Sequence, residues 1–225
     1  MDAPYRSESF CSGQAPSSVP TSSRRALYAS SDADEPTVAV VARFRPLNEA
    51  EEQTNSSAPF LLTDSIEDRR KGVVYSRFNH VLDRTVPQAD VYEATAKPLM
   101  QHVMAGYNAG MLAYGQSGGG KTYSMLGKEG DLASDLRGIV PRAMSDLFAA
   151  CASVDAAEVA VSCSMCFFEV YKDELYDLLC YDVDGNSKKL AGREMRHMKN
   201  LTELTVENEQ QANQIVQAGQ EKRRF

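Results

Sequence analysis

The sequence predicts an α/β layered domain built around a phosphate-binding loop. Three observations carry this. Short apolar, β-branched runs alternate with stretches of helical apolar spacing from about residue 36 to residue 225. One run, Met111-Leu112-Ala113-Tyr114, leads into Gly115-Gln116-Ser117-Gly118-Gly119-Gly120-Lys121-Thr122, which fits Gly-x-x-x-x-Gly-Lys-Ser/Thr in the strand-to-helix context that a phosphate loop needs. Proline and glycine stand where helices should begin, bend and stop.

In chain order, residues 1–35 are rich in Ser, Pro and Ala and end in Asp32-Ala33-Asp34-Glu35, so they read as a flexible extension. Thr37 to Phe44 has the composition of a central strand, and Pro46 ends it because proline cannot donate to a ladder. Gly72 to Tyr75 and Phe78 to Leu82 read as further strand segments. Gln88 to Gly106 carries Val91, Ala94, Met100, Val103 and Met104 at helical recurrence; Pro98 should kink it and Gly106 end it.

Met111 to Tyr114 is expected to be the strand that feeds the loop, and Gly127 to stop the short helix after Lys121. Arg142 to Ala152 reads as a helix with Pro141 at its start. Val159 to Tyr171 reads as one buried strand and Asp173 to Leu179 as a short acidic amphipathic piece. Asp184-Gly185-Asn186 signals a turn, Leu204 to Val206 a strand, and Glu209 to Gly219 a closing helix. No internal repeat or heptad run is present.

Composition bounds the function. With 225 residues, 43% hydrophobic and 24% charged, the chain can bury one substantial core. It has no apolar run of about 18 residues to span a membrane and no apolar segment of a secretory signal, so it is expected to be intracellular. A net charge of −7 and a pI near 5.1 argue against a nucleic-acid surface. The five cysteines, an odd number, fit reduced thiols better than a disulfide framework. Cys163 and Cys166 have metal-pair spacing, but on a strand they face opposite sides, and no second pair accompanies them.

The loop of residues 115–122 has a definite chemistry. Its glycines allow positive φ and close backbone approach, so successive N–H groups can turn around the α- and β-phosphates of a nucleotide. The Lys121 ammonium can reach the β/γ oxygens, Thr122 offers a hydroxyl to Mg²⁺, and the helix that follows directs its positive end at the same anion. The alternative is a glycine-rich surface loop beside a solvated lysine.

A wider set of segments carries a family resemblance. Arg43-Phe44-Arg45-Pro46-Leu47-Asn48-Glu49, Phe78 to Asp83, Gln88 with Val91-Tyr92-Glu93, Tyr107-Asn108, Ala113 to Gly127, Gly138 to Arg142 and Phe168 to Leu179 occur in the order and approximate spacing of the kinesin motor head, which residues 36–225 resemble over most of their length. The resemblance implies a P-loop NTPase-type α/β head, with a central, mostly parallel sheet flanked by helices, that binds ATP with Mg²⁺, hydrolyses it, and couples the cycle to microtubules in the cytoplasm and cytoskeleton. It implies that Gly115, Gln116, Ser117, Gly118, Gly119, Gly120, Lys121 and Thr122 hold the phosphates, with Thr122 at the Mg²⁺. It also implies that Arg43, Arg45 and Pro46 lie beside the adenine, with Tyr92 and Tyr123 near the base. Tyr92 reads equally as a core tyrosine on a helix face, and Pro46 as a strand terminator only. Ser117 replaces the family's common Thr, and Gly119 is expected to add freedom to the loop.

The family's two switches, Asn-x-x-Ser-Ser-Arg-Ser-His and Asp-x-x-Gly-x-Glu, are absent from the 225 residues. The chain therefore reads as the N-terminal part of a motor domain, incomplete at its C-terminus. It is expected to bind MgATP and, without groups to orient the attacking water, to hydrolyse it poorly. The second reading is a truncated, non-catalytic nucleotide-binding protein. A P-loop kinase or GTPase is disfavoured, because no Asn-Lys-x-Asp element appears and the other segments would be unexplained.

Overall fold

The computed structural model of the chain describes residues 38–53, 60–63, 65–128, 134–155, 160–181, 187–190 and 200–223. The 1–35 extension and the 184–186 turn lie outside them.

The first strand, β1 (Val41–Arg43), runs parallel to β5 (His80–Leu82), Ala42 facing Val81. Bonds from Asn79 N–H to the Val40 carbonyl at 2.8 Å and from Phe44 N–H to the Leu82 carbonyl at 2.9 Å continue the pair at each end. The strand is shorter than the apolar run predicts, because Val38 and Val40 are exposed. Between the two strands lie a short helix, α1 (Glu49–Gln53), and an antiparallel meander of β2 (Phe60–Leu62), β3 (Ile66–Asp68) and β4 (Val73–Tyr75). Only β4 and β5 were expected from the sequence.

The predicted kinked helix is two helices, α2 (Gln88–Thr95) and α3 (Lys97–Met104), with the break at Ala96 just before Pro98. Gly106, at φ 92°, ends α3 with N–H bonds to Val103 at 2.9 Å and from Tyr107 back to His102 at 3.0 Å. These two bonds are the Schellman pattern, which needs a left-handed residue at that position. The predicted loop-feeding strand differs: among the described residues nothing pairs with Met111 to Tyr114, and Leu112 and Tyr114 are 87% and 96% exposed. Apolar alternation there marks extended chain, and no neighbouring ladder turns it into sheet.

The loop then enters α4 (Lys121–Leu126), and α5 (Ile139–Ala152) begins three residues before the predicted start, with Pro141 fully buried in its first turn. Val91 and Tyr92 of α2 and Ala96 at the break meet Ile139 in the core, with Met100, Met111, Met125 and Ala143 against them. A cavity of about 320 Å³ opens between α3, residues 109–111 and α5.

The predicted 159–171 strand is also corrected. It splits into β6 (Cys163–Met165), antiparallel to β10 (Leu204–Val206), and β7 (Phe168–Tyr171), antiparallel to β8 (Glu174–Tyr181). The acidic piece at 173–179 falls in the strand β8 from Glu174 onward, and β9 (Ser187–Leu190) pairs with its other edge across a bulge between Asp177 and Tyr181. Lys172 and Asp173, both at positive φ (51° and 62°), form the two-residue hairpin turn between β7 and β8. The closing helix, α6 (Glu209–Glu221), is capped by Asn208, whose side chain accepts from Gln211 N–H at 2.9 Å. Its Ala212 and Val216 are buried, and it packs on β8 and β10.

Asp177 explains why β8 reads as amphipathic. At 1% exposure it points inward, where its carboxylate accepts from Leu179 N–H at 2.9 Å and Thr202 N–H at 2.7 Å. Asp177→Ala leaves both donors without that acceptor, so it is expected to cost about 3 kcal/mol of stability. Urea unfolding measures it; a loss below about 1 kcal/mol would mean the carboxylate is dispensable.

Candidate nucleotide site

The loop is built from backbone turns. Gly119 N–H donates to the Gln116 carbonyl at 3.1 Å, and Gly118 and Gly120 sit at φ 73° and 89°, with Gly120 as N-cap of α4. A methyl carbon built on Gly115 or Gly118 meets no atom within 4 Å, so at Gly118 conformation, not crowding, calls for glycine. Gly119 differs from its sequence reading as a source of freedom: a Cβ there would lie 3.0 Å from the Gln116 oxygen, so the site is tight.

Lys121 folds back over this loop. Its Nζ donates to the carbonyls of Gly115 at 2.9 Å and Gln116 at 2.8 Å. The ammonium is therefore held at the loop by two dipoles instead of extending into solvent. Thr122, one residue on, is exposed in the first turn of α4. Together the loop offers one cation, two exposed hydroxyls (Ser117 and Thr122) and glycines at left-handed φ, which is a donor set suited to a phosphate chain and a hard metal ion.

Two arginines from the end of β1 reach the same region. Arg45 Nε donates to the Gly118 carbonyl at 2.8 Å, and its guanidinium forks onto Glu51 at 2.7 and 2.8 Å while also reaching the Pro46 carbonyl. Glu51 reaches back to Asn48 N–H at 2.9 Å and Asn48 caps Glu51 N–H at 2.9 Å, so α1 begins with a reciprocal capping box that aims the carboxylate at Arg45. Pro46 itself is exposed.

Arg43 donates to Gln88 Oε1 at 2.8 Å and Ser124 Oγ at 2.9 Å, and its guanidinium carbon lies 5.5 Å from the centre of the Tyr123 ring. Gln88 in turn donates to the Tyr123 carbonyl at 2.7 Å, so β1, α2 and α4 are tied at one point. Tyr123 keeps an exposed ring face. Tyr92 does not join this group. It is 4% exposed, and its hydroxyl donates to Asp146 of α5 at 2.6 Å; burial, then that bond, push its phenol above the ordinary range. The structure places Tyr92 in the core, the first of its two sequence readings to find contacts.

The positioning residues Gln88, Ser124 and Glu51 had no role assigned from sequence. Gln88 and Ser124 fall inside segments of the resemblance, and the Asn48-x-x-Glu51 spacing is a capping-box signature that could have found Glu51.

The Arg45 fork holds the Glu51 carboxyl down at about 2, with the Asn48 amide second. A folded-state value below the ordinary carboxylate value of about 4.3 means the pair's stabilisation is present above that pH and is lost as pH falls toward 2. A ¹³C titration of the Glu51 carboxyl should therefore find its midpoint near the depressed value, and find it raised toward, but still below, about 4.3 in Arg45→Ala, where the Asn48 amide bond remains. An identical midpoint in both proteins would remove the brace.

With this geometry in view, similarity to known proteins can be placed. The profile of the kinesin motor domain matches residues 43–225, more than half of the chain. The chain belongs to the kinesin motor family.

Kinesin-like protein klp-19 of Caenorhabditis elegans is 42% identical over 179 residues, covering 74% of this chain and 15% of its own. The kinesin heavy chain of Drosophila melanogaster is 32% identical over 194 residues, covering 84% of this chain and 19% of its own. A solved structure of a fast kinesin superposes with a TM-score of 0.69 at 25% identity, covering 82% of this chain and 52% of the other. This chain thus spans under a fifth of the length of these two relatives, and about half of the kinesin structure. The P-loop α/β layout of the kinesin head is the fold seen here, in part. No helix among the described residues is long and apolar enough to cross a membrane.

Proposed function

We propose that this chain is the ATP-binding part of a microtubule-based motor, with residues 36–225 forming the N-terminal part of its motor domain. One observation carries the reading: the Lys121 ammonium is held by the Gly115 and Gln116 carbonyls across a loop whose Gly118 and Gly120 are left-handed. In the proposed complex Lys121 exchanges those two carbonyls for the β- and γ-phosphate oxygens of ATP. Loop N–H groups face the α- and β-phosphates. Thr122 supplies a hydroxyl to Mg²⁺, which when bound neutralises charge on the phosphate oxygens.

Arg45 keeps the loop in place through Gly118, while Arg43 and the open Tyr123 ring supply a cationic edge and a flat face for a purine. Pro46, exposed next to Arg45, is assigned to the same base-binding face by the family resemblance alone. Tyr92 serves the site at a distance, fixing α2 to α5 through Asp146. The partner is the microtubule, and the place of action the cytoplasmic cytoskeleton. Support comes from membership of the family and from the fast-kinesin structure, described for its ATPase mechanism and interactions with microtubules.

Calorimetry with MgATP and co-pelleting with polymerised tubulin test the two halves separately. Saturable one-to-one heat is expected in the first, and sedimentation above the no-tubulin control in the second. Absence of heat rejects the nucleotide site; absence of pelleting rejects the microtubule partner.

A further inference from the structure

The cysteine spacing conspicuous in the sequence, Cys163 with Cys166, is not the pairing that the fold makes. Cys163 opens β6, and the sulfur nearest to it belongs to Cys151, in the last turn of α5, with Sγ to Sγ 3.8 Å. Cys166 is exposed and Cys180 buried. Cys151 and Cys163 are both half-buried, and both line a cavity of about 560 Å³ bounded by Phe148, Val161, Thr205 and Asn208. A low-molecular-weight thiol reagent can therefore reach two thiols that already touch.

We propose that Cys151 and Cys163 form a dithiol modification site that a small disulfide, of the glutathione type, converts to a Cys151–Cys163 bond. The geometry asks for little movement. A disulfide needs its sulfurs about 2.0 Å apart, so the pair must close by under 2 Å, and Cys151 stands on the final turn of its helix, where fraying is least costly.

The chemistry balances without any other reactant. The Cys151 thiolate attacks one sulfur of oxidised glutathione, forming a mixed disulfide and releasing one glutathione thiolate. The Cys163 thiolate then attacks the Cys151 sulfur and expels the second. Two electrons pass from the protein sulfurs to the reagent's disulfide, and the two protein protons end on two reduced glutathione molecules. Burial, followed by the Cys151 contact, raises the Cys163 thiol above its ordinary range and so lowers its thiolate fraction; the second step relies on the 3.8 Å proximity of the two sulfurs, which makes it intramolecular. The bond would pin the end of α5, the helix whose Asp146 holds Tyr92, to the β6–β10 pair.

The test uses the full chain in buffers of oxidised and reduced glutathione, quenched with N-ethylmaleimide and digested without reduction. Mass spectrometry should find the Cys151 and Cys163 peptides joined, lighter by two hydrogens, at about tenfold or more over any other cysteine pairing, and separable by dithiothreitol. In Cys163→Ser, glutathione should instead remain attached to Cys151. Joined peptides involving Cys166 or Cys11 at comparable yield would overturn the proposal. So would a stable glutathione adduct on Cys151 of the unsubstituted protein.

Discussion

Lys121→Ala is expected to abolish measurable MgATP binding, lowering affinity by at least about a hundredfold. The reasoning runs through charge. The Lys121 side chain is the mobile cation of the loop, already gathered to it by the Gly115 and Gln116 carbonyls. Hydrogen bonds to a charged group contribute about 1.5–3 kcal/mol each, and two made to phosphate oxygens amount to about 3 kcal/mol or more. That exceeds what the remaining neutral donors supply through one further contact. Stability should hardly change, because the two bonds lost are exposed bonds to loop carbonyls. Lys121→Arg should not rescue, since a planar, longer guanidinium does not fit where a compact ammonium does. Calorimetry giving unchanged affinity in Lys121→Ala would reject the site assignment.

Gly127→Ala is expected to destabilise the chain by about 3 kcal/mol or more, well beyond an ordinary surface substitution. Two effects add. Gly127 closes α4 at φ 94°, ψ −157°, a region that is nearly glycine-only and costs other residues about 1–3 kcal/mol. It also faces Arg137 and Gly138, to which it is bridged, and Gly138 N–H donates to the Leu126 carbonyl at 3.1 Å. A Cβ on Gly127 would stand 2.4 Å from the Leu136 oxygen and 2.6 Å from the Gly138 nitrogen.

These are backbone atoms, so no rotamer change relieves the clash. Gly219 provides the contrast. A Cβ there lies 2.2 Å from the Phe167 ring, but a ring can turn and a helical alanine regains about 0.5–1 kcal/mol of propensity, so Gly219→Ala should cost clearly less. Urea melts of the two variants, side by side, check the order. If Gly219→Ala proved the more damaging, the picture of a rigid bridge at Gly127 would fail.

Features dictated by local chemistry were legible in the sequence. The phosphate loop is a motif because only glycine tolerates its φ values, and the ends of α3 and α4 follow from Pro98, Gly106 and Gly127. Features set by distant neighbours were not. Val159 to Tyr171 looks uniform, yet its two halves join different partners, β10 and β8. The hairpin at Lys172-Asp173 carries neither Gly nor Asn, and the inward Asp177 breaks the apolar pattern by which a buried strand is read. Likewise, the links from Arg43 to Gln88 and Ser124 cross 45 and 81 residues, separations at which periodicity carries no signal. Tyr92 divides between two readings until Asp146 comes within 2.6 Å of its hydroxyl.

Glycine amides offer the most direct measurement. The chain has 14 glycines, and in protein labelled with ¹⁵N-glycine each gives its own amide signal. On titration with MgATP, the signals of Gly115, Gly118, Gly119 and Gly120 should move together and saturate, while that of Gly219, in α6 against Phe167, stays in place. If those four remained still, or if the response centred on Gly110 beside the apolar cavity, the loop would not be the nucleotide site.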